Sequence, residues 1–436
     1  METTAYAQCH VDAHAARAAA DPERPRCHLL PAARWMNDPN GTIYHDGWYH
    51  VFFQHNPFGD NWGHMHWGHA RSRDLVRWER LPIALAPDLA AGEEHCFSGC
   101  VAADADGSLR LLYTSVAFPG RRPFEQRAAT PCDADLNTWQ RLPGAVMAPH
   151  GRDARDPFVV RWGGRTLVLL GDGPCVLLYE AEDGRLDRIV PRGVLHEERS
   201  GMVAFCECPN LLPVGGEALL LHSPIRPREL AGVPAVDWIL GSLDGDRLAP
   251  RRRGRLDQHD AFYASNTLVD AAGRHVVLGW VRGFTEGNGW SGCLAFPRLV
   301  EADPAAGIRQ RPHPAVDLLR QDGPLYFAGE LGDADLGEAG DAVDAELELH
   351  GPCSLRLAGT PLAWDGAYLA VGGASYPVPL AGGPLRLRVL VDRSVVEVFA
   401  DDGRVVVTRV VHVANRDCRV HLSGTGRAVA TVWRLA

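Results

Sequence analysis

The sequence predicts an all-β protein, a β-propeller of four-stranded blades followed by a C-terminal β-sandwich, on three observations. From Thr42 onward, short strand-like runs succeed one another between turns over roughly 280 residues. Almost no segment between them carries sustained helical periodicity, which argues against an α/β fold. Near 306–340 the texture turns Pro-, Gly- and Asp-rich, and about 100 residues of alternating apolar sequence follow, enough for a small sandwich.

In chain order, residues 1–23 form an N-terminal extension. It is Ala-rich but broken by His10, Asp12, His14 and Arg17, and so lacks the apolar run and basic start of a secretory signal. A cytoplasmic location is the expectation. The propeller is assigned to 24–310. Its first hairpin joins Ile43-Tyr44 to 48–54 around His45-Asp46-Gly47, where Asp-Gly is a strong turn signal. Further runs at 65–70, 96–102, 109–114, 158–161, 166–170, 176–180, 219–222, 238–242, 275–281 and 294–297 supply the remaining blades. No crisp sequence repeat marks the blade count. Residues 311–340 read as a linker and 341–436 as the sandwich, with runs at 345–349, 354–357, 385–391, 395–400, 405–411 and 428–435.

Composition excludes several classes of function. With a formal charge of -10 and no basic block longer than Arg251-Arg252-Arg253, a nucleic-acid partner is not expected. No apolar run approaches the roughly 18 residues of a membrane span. The 11 cysteines are odd in number and dispersed. Cys206 and Cys208 come nearest to a metal motif, but no second pair completes it, so they read as free thiols of a reducing compartment. His64 and His66 fall on one face of a strand and His69 on the other, which makes them poor joint ligands. No metal and no cofactor is expected.

Three acidic segments stand out: Arg34-Trp35-Met36-Asn37-Asp38-Pro39-Asn40-Gly41, Arg152-Asp153-Ala154-Arg155-Asp156-Pro157 and Phe205-Cys206-Glu207-Cys208-Pro209-Asn210-Leu211. Each places an acid at the edge of a strand and braces it with proline, which stiffens the backbone and donates no N–H. Taken singly, the Asp38 and Asp156 segments read first as ordinary turns, and Glu207 reads equally as a buried, hydrogen-bonded acid or as a catalytic one. Innermost strands of successive blades, however, bring such positions together around one axial cavity. Glu207, among Phe205, Cys206 and Cys208, suits a carboxyl kept protonated by desolvation. Asp38, with Asn37 and Asn40 as donors, suits an ionised nucleophile, and Arg155 would keep Asp156 charged. Such a trio suits glycoside cleavage by double displacement, with nucleophile and acid/base about 5–5.5 Å apart.

Trp35-Met36-Asn37-Asp38-Pro39-Asn40-Gly41, Arg155-Asp156-Pro157 and Glu207-Cys208-Pro209, in that order, resemble the three signature motifs of glycoside hydrolase family 32, the invertases, inulinases and levanases. The likeness extends through Phe52-Phe53-Gln54-His55-Asn56-Pro57, Trp62-Gly63-His64-Met65-His66-Trp67-Gly68-His69-Ala70, Phe97-Ser98-Gly99, Phe262-Tyr263-Ala264, Gly279-Trp280 and 391–399. It implies five blades, retention of configuration, and action without cofactor on small carbohydrates bearing a terminal β-D-fructofuranosyl group, such as sucrose or fructo-oligosaccharides. By motif, Asp38 would be the nucleophile, Glu207 the acid/base, and Asp156 the acid that binds fructose hydroxyls and steadies the transition state. Asn37, Gln54, Trp62, Phe97, Ser98 and Arg155 would line the fructose pocket, and Phe284 would stand in it where related invertases carry tryptophan.

Departures from the pattern are Ala154 for an aromatic, Asn210 and Ala261 for aspartates, and Asn266 for a glutamine. They bear on the leaving group more than on the reaction, and the short sandwich bears on contacts between copies, so a homo-oligomer stays open. Fructosyl transfer and a non-catalytic fructan-binding role are the rival readings. An inverting arabinan hydrolase ranks below them, because it would lack the Trp-Met-Asn-Asp-Pro-Asn-Gly run.

Overall fold

The strand-like runs fold into antiparallel meanders, because turn residues return the chain every few residues and alternating apolar side chains bury both faces of each sheet. The structure, a computed structural model, describes residues 3–117, 122–148, 150–227, 235–380, 382–414 and 416–436. Five meanders follow one another, with innermost strands at Arg34–His45, His95–Ala103, Arg155–Trp162, Phe205–Val214 and Phe262–Val269. We number the blades I to V accordingly. Each innermost strand packs against the next, and the fifth packs against the first, closing the ring. At the seam the chain leaves blade V through Trp290–Ser291, which pairs in parallel with Arg34 and Trp35 of blade I. Thr42 Oγ1 lies 2.6 Å from Asn266 Oδ1 across the same seam.

Every innermost strand breaks register with its neighbour at one level of the ring. The shifts fall between Met36 and Pro39, Phe97 and Gly99, Arg155 and Phe158, Glu207 and Asn210, and Tyr263 and Asn266. Such bulges re-aim side chains and intensify twist. Asp156, Cys208 and Ala264 take left-handed φ values of 67°, 46° and 48° there. Pro157 and Pro209 suit these places because the bulge leaves them outside the ladder and needs no N–H from them.

The sandwich is two six-stranded sheets. Residues 311–340, expected as a linker, hold two of its strands. Leu325–Glu330 pairs with Arg427–Arg434, and Asp333–Glu338 pairs with Arg419–Gly424. The glycines and aspartates that suggested a connector lie on these edge strands and around them, where only one side is paired. The N-terminal extension also carries structure: Thr4–Asp12 is helical, Thr3 Oγ1 accepts the Tyr6 N–H at 3.2 Å, and Ala7, Val11 and Ala18 are buried against the propeller.

Propeller and sandwich meet through a buried polar network. His28 Nδ1 lies 2.8 Å from Asp392 Oδ2 and its Nε2 3.2 Å from Glu397 Oε1. Arg298 donates to Glu397 at 2.6 Å and to Asp257 at 3.1 Å. Among the described residues no helix is long and apolar enough to cross a membrane.

Candidate active site

Asp38 sits in the bulge of blade I, and its two oxygens are held from three blades. Trp35 Nε1 donates to Asn37 Oδ1 at 2.7 Å, which fixes the amide so that Asn37 Nδ2 donates to Asp38 Oδ1 at 3.1 Å. Ser98 of blade II donates to Asp38 Oδ2 at 2.6 Å, and the Cys208 thiol of blade IV lies 3.5 Å from the same oxygen. Asn40, expected as a second donor, is instead fully buried, and its amide contacts no polar partner among the described residues. Burial pushes the Asp38 carboxyl up and the charge of Glu207 adds to the rise, outweighing the hydrogen bonds from Ser98 and Asn37.

Asp156 is buried in the bulge of blade III. Thr114 Oγ1 accepts its backbone N–H at 3.0 Å, while its Oδ2 accepts the Cys208 N–H at 2.9 Å and lies 3.6 Å from the Cys208 thiol. One thiol thus touches both aspartates. Burial, opposed by Arg155 but reinforced by the charges of Glu207 and Asp38, pushes the Asp156 carboxyl up to about 7. The expectation that Arg155 keeps Asp156 in the usual carboxylate range is corrected, because the guanidinium turns to another acid.

That acid is Glu207. Arg155 Nε and Nη2 both donate to its Oε1, at 3.2 and 2.9 Å, and the Tyr263 hydroxyl donates to its Oε2 at 2.9 Å. The apolar setting read from its neighbours is corrected too. Phe205 lies under the Arg155 guanidinium, 3.5 Å from the ring centre. Cys206 is fully buried in the core of blades III and IV, and Cys208 turns to the two aspartates. Strand alternation and the bulge send the residues beside Glu207 away from its carboxyl.

One wall beside Asp38 is aromatic. The Phe97 ring lies 6.1 Å from that of Trp62 and 5.9 Å from that of Phe124, with His95 between Phe97 and Trp62, and the Trp62 side chain is half-exposed. Gln54 is buried and donates to the Cys96 carbonyl at 2.9 Å, tying blade I to the strand that carries Phe97 and Ser98. Phe284 does not join this group: it is 9% exposed and packs against Trp290 at 4.8 Å. Asn210, one of the departures, donates to the carbonyls of Cys208 and Ser265 at 2.9 and 3.0 Å. An ionised aspartate could make neither bond.

Sequence reading missed Tyr263, Cys208 and Thr114. A signal for Cys208 was present: in Asp156-Pro157 and Cys208-Pro209 the residue before proline holds the same place in its bulge, so the thiol is aimed where the Asp156 carboxylate is aimed, and Asp38, one place further along its own bulge, also precedes a proline. Tyr263 and Thr114 reach the site only through the closure of the ring.

The family models for the glycosyl hydrolases family 32 N-terminal domain and C-terminal domain match residues 28–312 and 364–433. The chain belongs to glycoside hydrolase family 32. Among curated proteins, it is 31% identical to a sucrose-6-phosphate hydrolase and 32% identical to a raffinose invertase, both of Escherichia coli, over 88% of this chain and of each relative. Among solved structures, a GH32 β-fructofuranosidase of Bombyx mori matches with a TM-score of 0.85 and 26% identity, over all of this chain and 99% of that one. A sucrose-6-phosphate hydrolase of Lactobacillus gasseri shares the fold, with a TM-score of 0.87 at 24% identity, over 100% of this chain and 99% of that one. As a family 32 member the chain is a glycosidase that hydrolyses terminal β-D-fructofuranosides, with a small carbohydrate as substrate, and it carries the family's propeller and sandwich.

Proposed function

We propose that this glycosidase releases fructose from sucrose-sized fructosides by a retaining double displacement, with Asp38 as nucleophile, Glu207 as acid/base and Asp156 as the acid that binds fructose hydroxyls. The observation that carries the reading is the division of labour among the three carboxyls. Asp38 and Asp156 share the Cys208 thiol, whereas Glu207 stands apart on Arg155 and Tyr263.

In the first step an Asp38 oxygen attacks the anomeric C2 as the C2–O bond breaks, and Glu207 gives its proton to the departing oxygen. In the second, Glu207 takes a proton from water, which attacks C2 and frees Asp38. Asp156 and Asn37 hold the fructosyl ring, while Gln54 and Ser98 fix the wall on which Trp62 and Phe97 offer apolar faces to sugar C–H groups. No step requires a metal or cofactor. The family resemblances to a sucrose-6-phosphate hydrolase and an invertase support a disaccharide with or without a phosphate on its glucosyl half.

The test is an assay of sucrose, sucrose 6-phosphate, and β-2,1 and β-2,6 fructo-oligosaccharides, read by released fructose and by the configuration of the first-formed product. Asp38→Ala is expected to abolish release while leaving the folded state intact. Wild-type rates in that variant would remove Asp38 from the mechanism, and fructosyl oligosaccharides as the main product would make transfer the activity.

A further inference from the structure

Tyr263 Oη lies between two acceptors. It is 2.9 Å from Glu207 Oε2 and 3.3 Å from the backbone carbonyl of Ser223, the cross-strand partner of Glu207. A phenol has one proton and can satisfy only one of them at a time. Its place is fixed by the structure around it. Ser223 Oγ accepts the N–H of Ala264, the left-handed residue of the bulge after Tyr263, at 3.0 Å, and the Arg282 guanidinium lies 4.7 Å from the Tyr263 ring centre. Arg282 is itself held by donating to the Asp260 carbonyl at 2.8 Å.

Glu207 Oε1 accepts two N–H groups from Arg155, so a proton on this carboxyl belongs on Oε2. The remaining charged and titratable groups that face Glu207 are Asp38 from blade I, Asp156 from blade III and the Cys208 thiol beside it. None of these is bonded to Oε2; the phenol is.

We propose that Tyr263 is a positioning residue that serves Glu207 in both of its protonation states, switching between donor and acceptor with the Ser223 carbonyl as the alternate acceptor. The inference rests on the assignment of Glu207 as the acid/base. With Glu207 ionised, Tyr263 donates to Oε2. With Glu207 protonated in the free enzyme, the Oε2–H donates to Tyr263 Oη, and the phenol proton turns to the Ser223 carbonyl. When a fructoside binds, the Oε2–H turns to the glycosidic oxygen. As that O–H bond breaks, its electron pair stays on Oε2 and the phenol turns back to meet the growing charge. Only hydroxyl protons move. Burial and the Glu207 charge hold the phenol's own ionisation far above the neutral range, so Tyr263 keeps its proton throughout.

The two states are not supported equally, because a hydrogen bond to a carboxylate is stronger than one from a neutral acid. Tyr263→Phe therefore disfavours ionised Glu207 more than protonated Glu207. Since kcat/KM reports the free enzyme, its alkaline limb, set by loss of the Glu207 proton, moves upward by roughly half a pH unit to one unit, and its plateau falls roughly tenfold. Replacement of Tyr263 by 3,5-difluorotyrosine keeps the shape while making the hydroxyl a stronger donor and weaker acceptor, so the same limb moves downward. These opposite displacements are the expected result. If both variants keep the wild-type limb, or if the limb moves the same way in both, the inference is overturned. Glu207→Gln separates this from failure of the underlying assignment: a variant that hydrolyses sucrose at the wild-type rate removes Glu207 as acid/base, whatever Tyr263 does.

Discussion

Burial pushes the Asp38 carboxyl up, the Ser98 hydroxyl opposes it at 2.6 Å, and the charge of Glu207 sides with burial. A nucleophile must be ionised, so this balance sets how far activity extends toward acid. In Ser98→Ala one opposing bond is lost, and the carboxyl rises further. The acid limb of kcat/KM is expected to move upward by about one pH unit, and the plateau to fall between tenfold and a hundredfold, the worth of a hydrogen bond to a charged group. A pH–rate profile checks this, and a limb that stays in place would reduce Ser98 to packing. The limb belongs to Asp38 and Asp156 together, because each feels the other's charge or shares its thiol neighbour.

The strands were legible because side-chain alternation and turn residues are properties of one segment at a time. Bulges are not: two residues opposite one is a relation between strands, and it decides where Arg155, Cys208 and Tyr263 point. Hence the three acids could be found in sequence while their partners were misassigned, Arg155 to Asp156 and the two thiols to Glu207. Phe284 was misplaced for a related reason, since its loop returns to the ring seam and packs on Trp290. The N-terminal helix stayed hidden because nine residues with two buried side chains give little periodicity to read. Contact between elements also makes Gly171 sensitive. A Cβ there would lie 2.1 Å from the Cys206 carbonyl oxygen, a backbone atom at the base of the Glu207 bulge. Gly171→Ala is expected to force blades III and IV apart, costing about 1–3 kcal/mol in urea denaturation and lowering kcat by displacing Glu207. Unchanged stability and turnover would mean that the seam absorbs a methyl group.

At the scale of the whole molecule, the sandwich is fastened to the propeller by ions buried at the interface. Burial alone would lower the His28 imidazole, but hydrogen bonds and charges from Asp392 and Glu397 overcome it and raise His28 to about 9. Both carboxyls are lowered in spite of burial, Asp392 chiefly by His28 and Glu397 chiefly by Arg298. The raised His28 contributes stability that is fully present below its unfolded value, near 6.5, and is lost as pH rises through about 9. The lowered carboxyls contribute stability present above about 4 and lost as pH falls below it. Asp257, raised by burial despite Arg298, offsets part of the acid-side loss and leaves the alkaline side alone. The denaturation midpoint is therefore expected to be highest between about pH 5 and 7 and to fall by pH 9 to 10. His28→Gln leaves Asp392 without its cation and Glu397 with Arg298 alone, at a cost of about 3–5 kcal/mol, and flattens the alkaline fall. Parallel pH–stability curves for the variant and the parent chain would show that the fastening lies elsewhere in the interface.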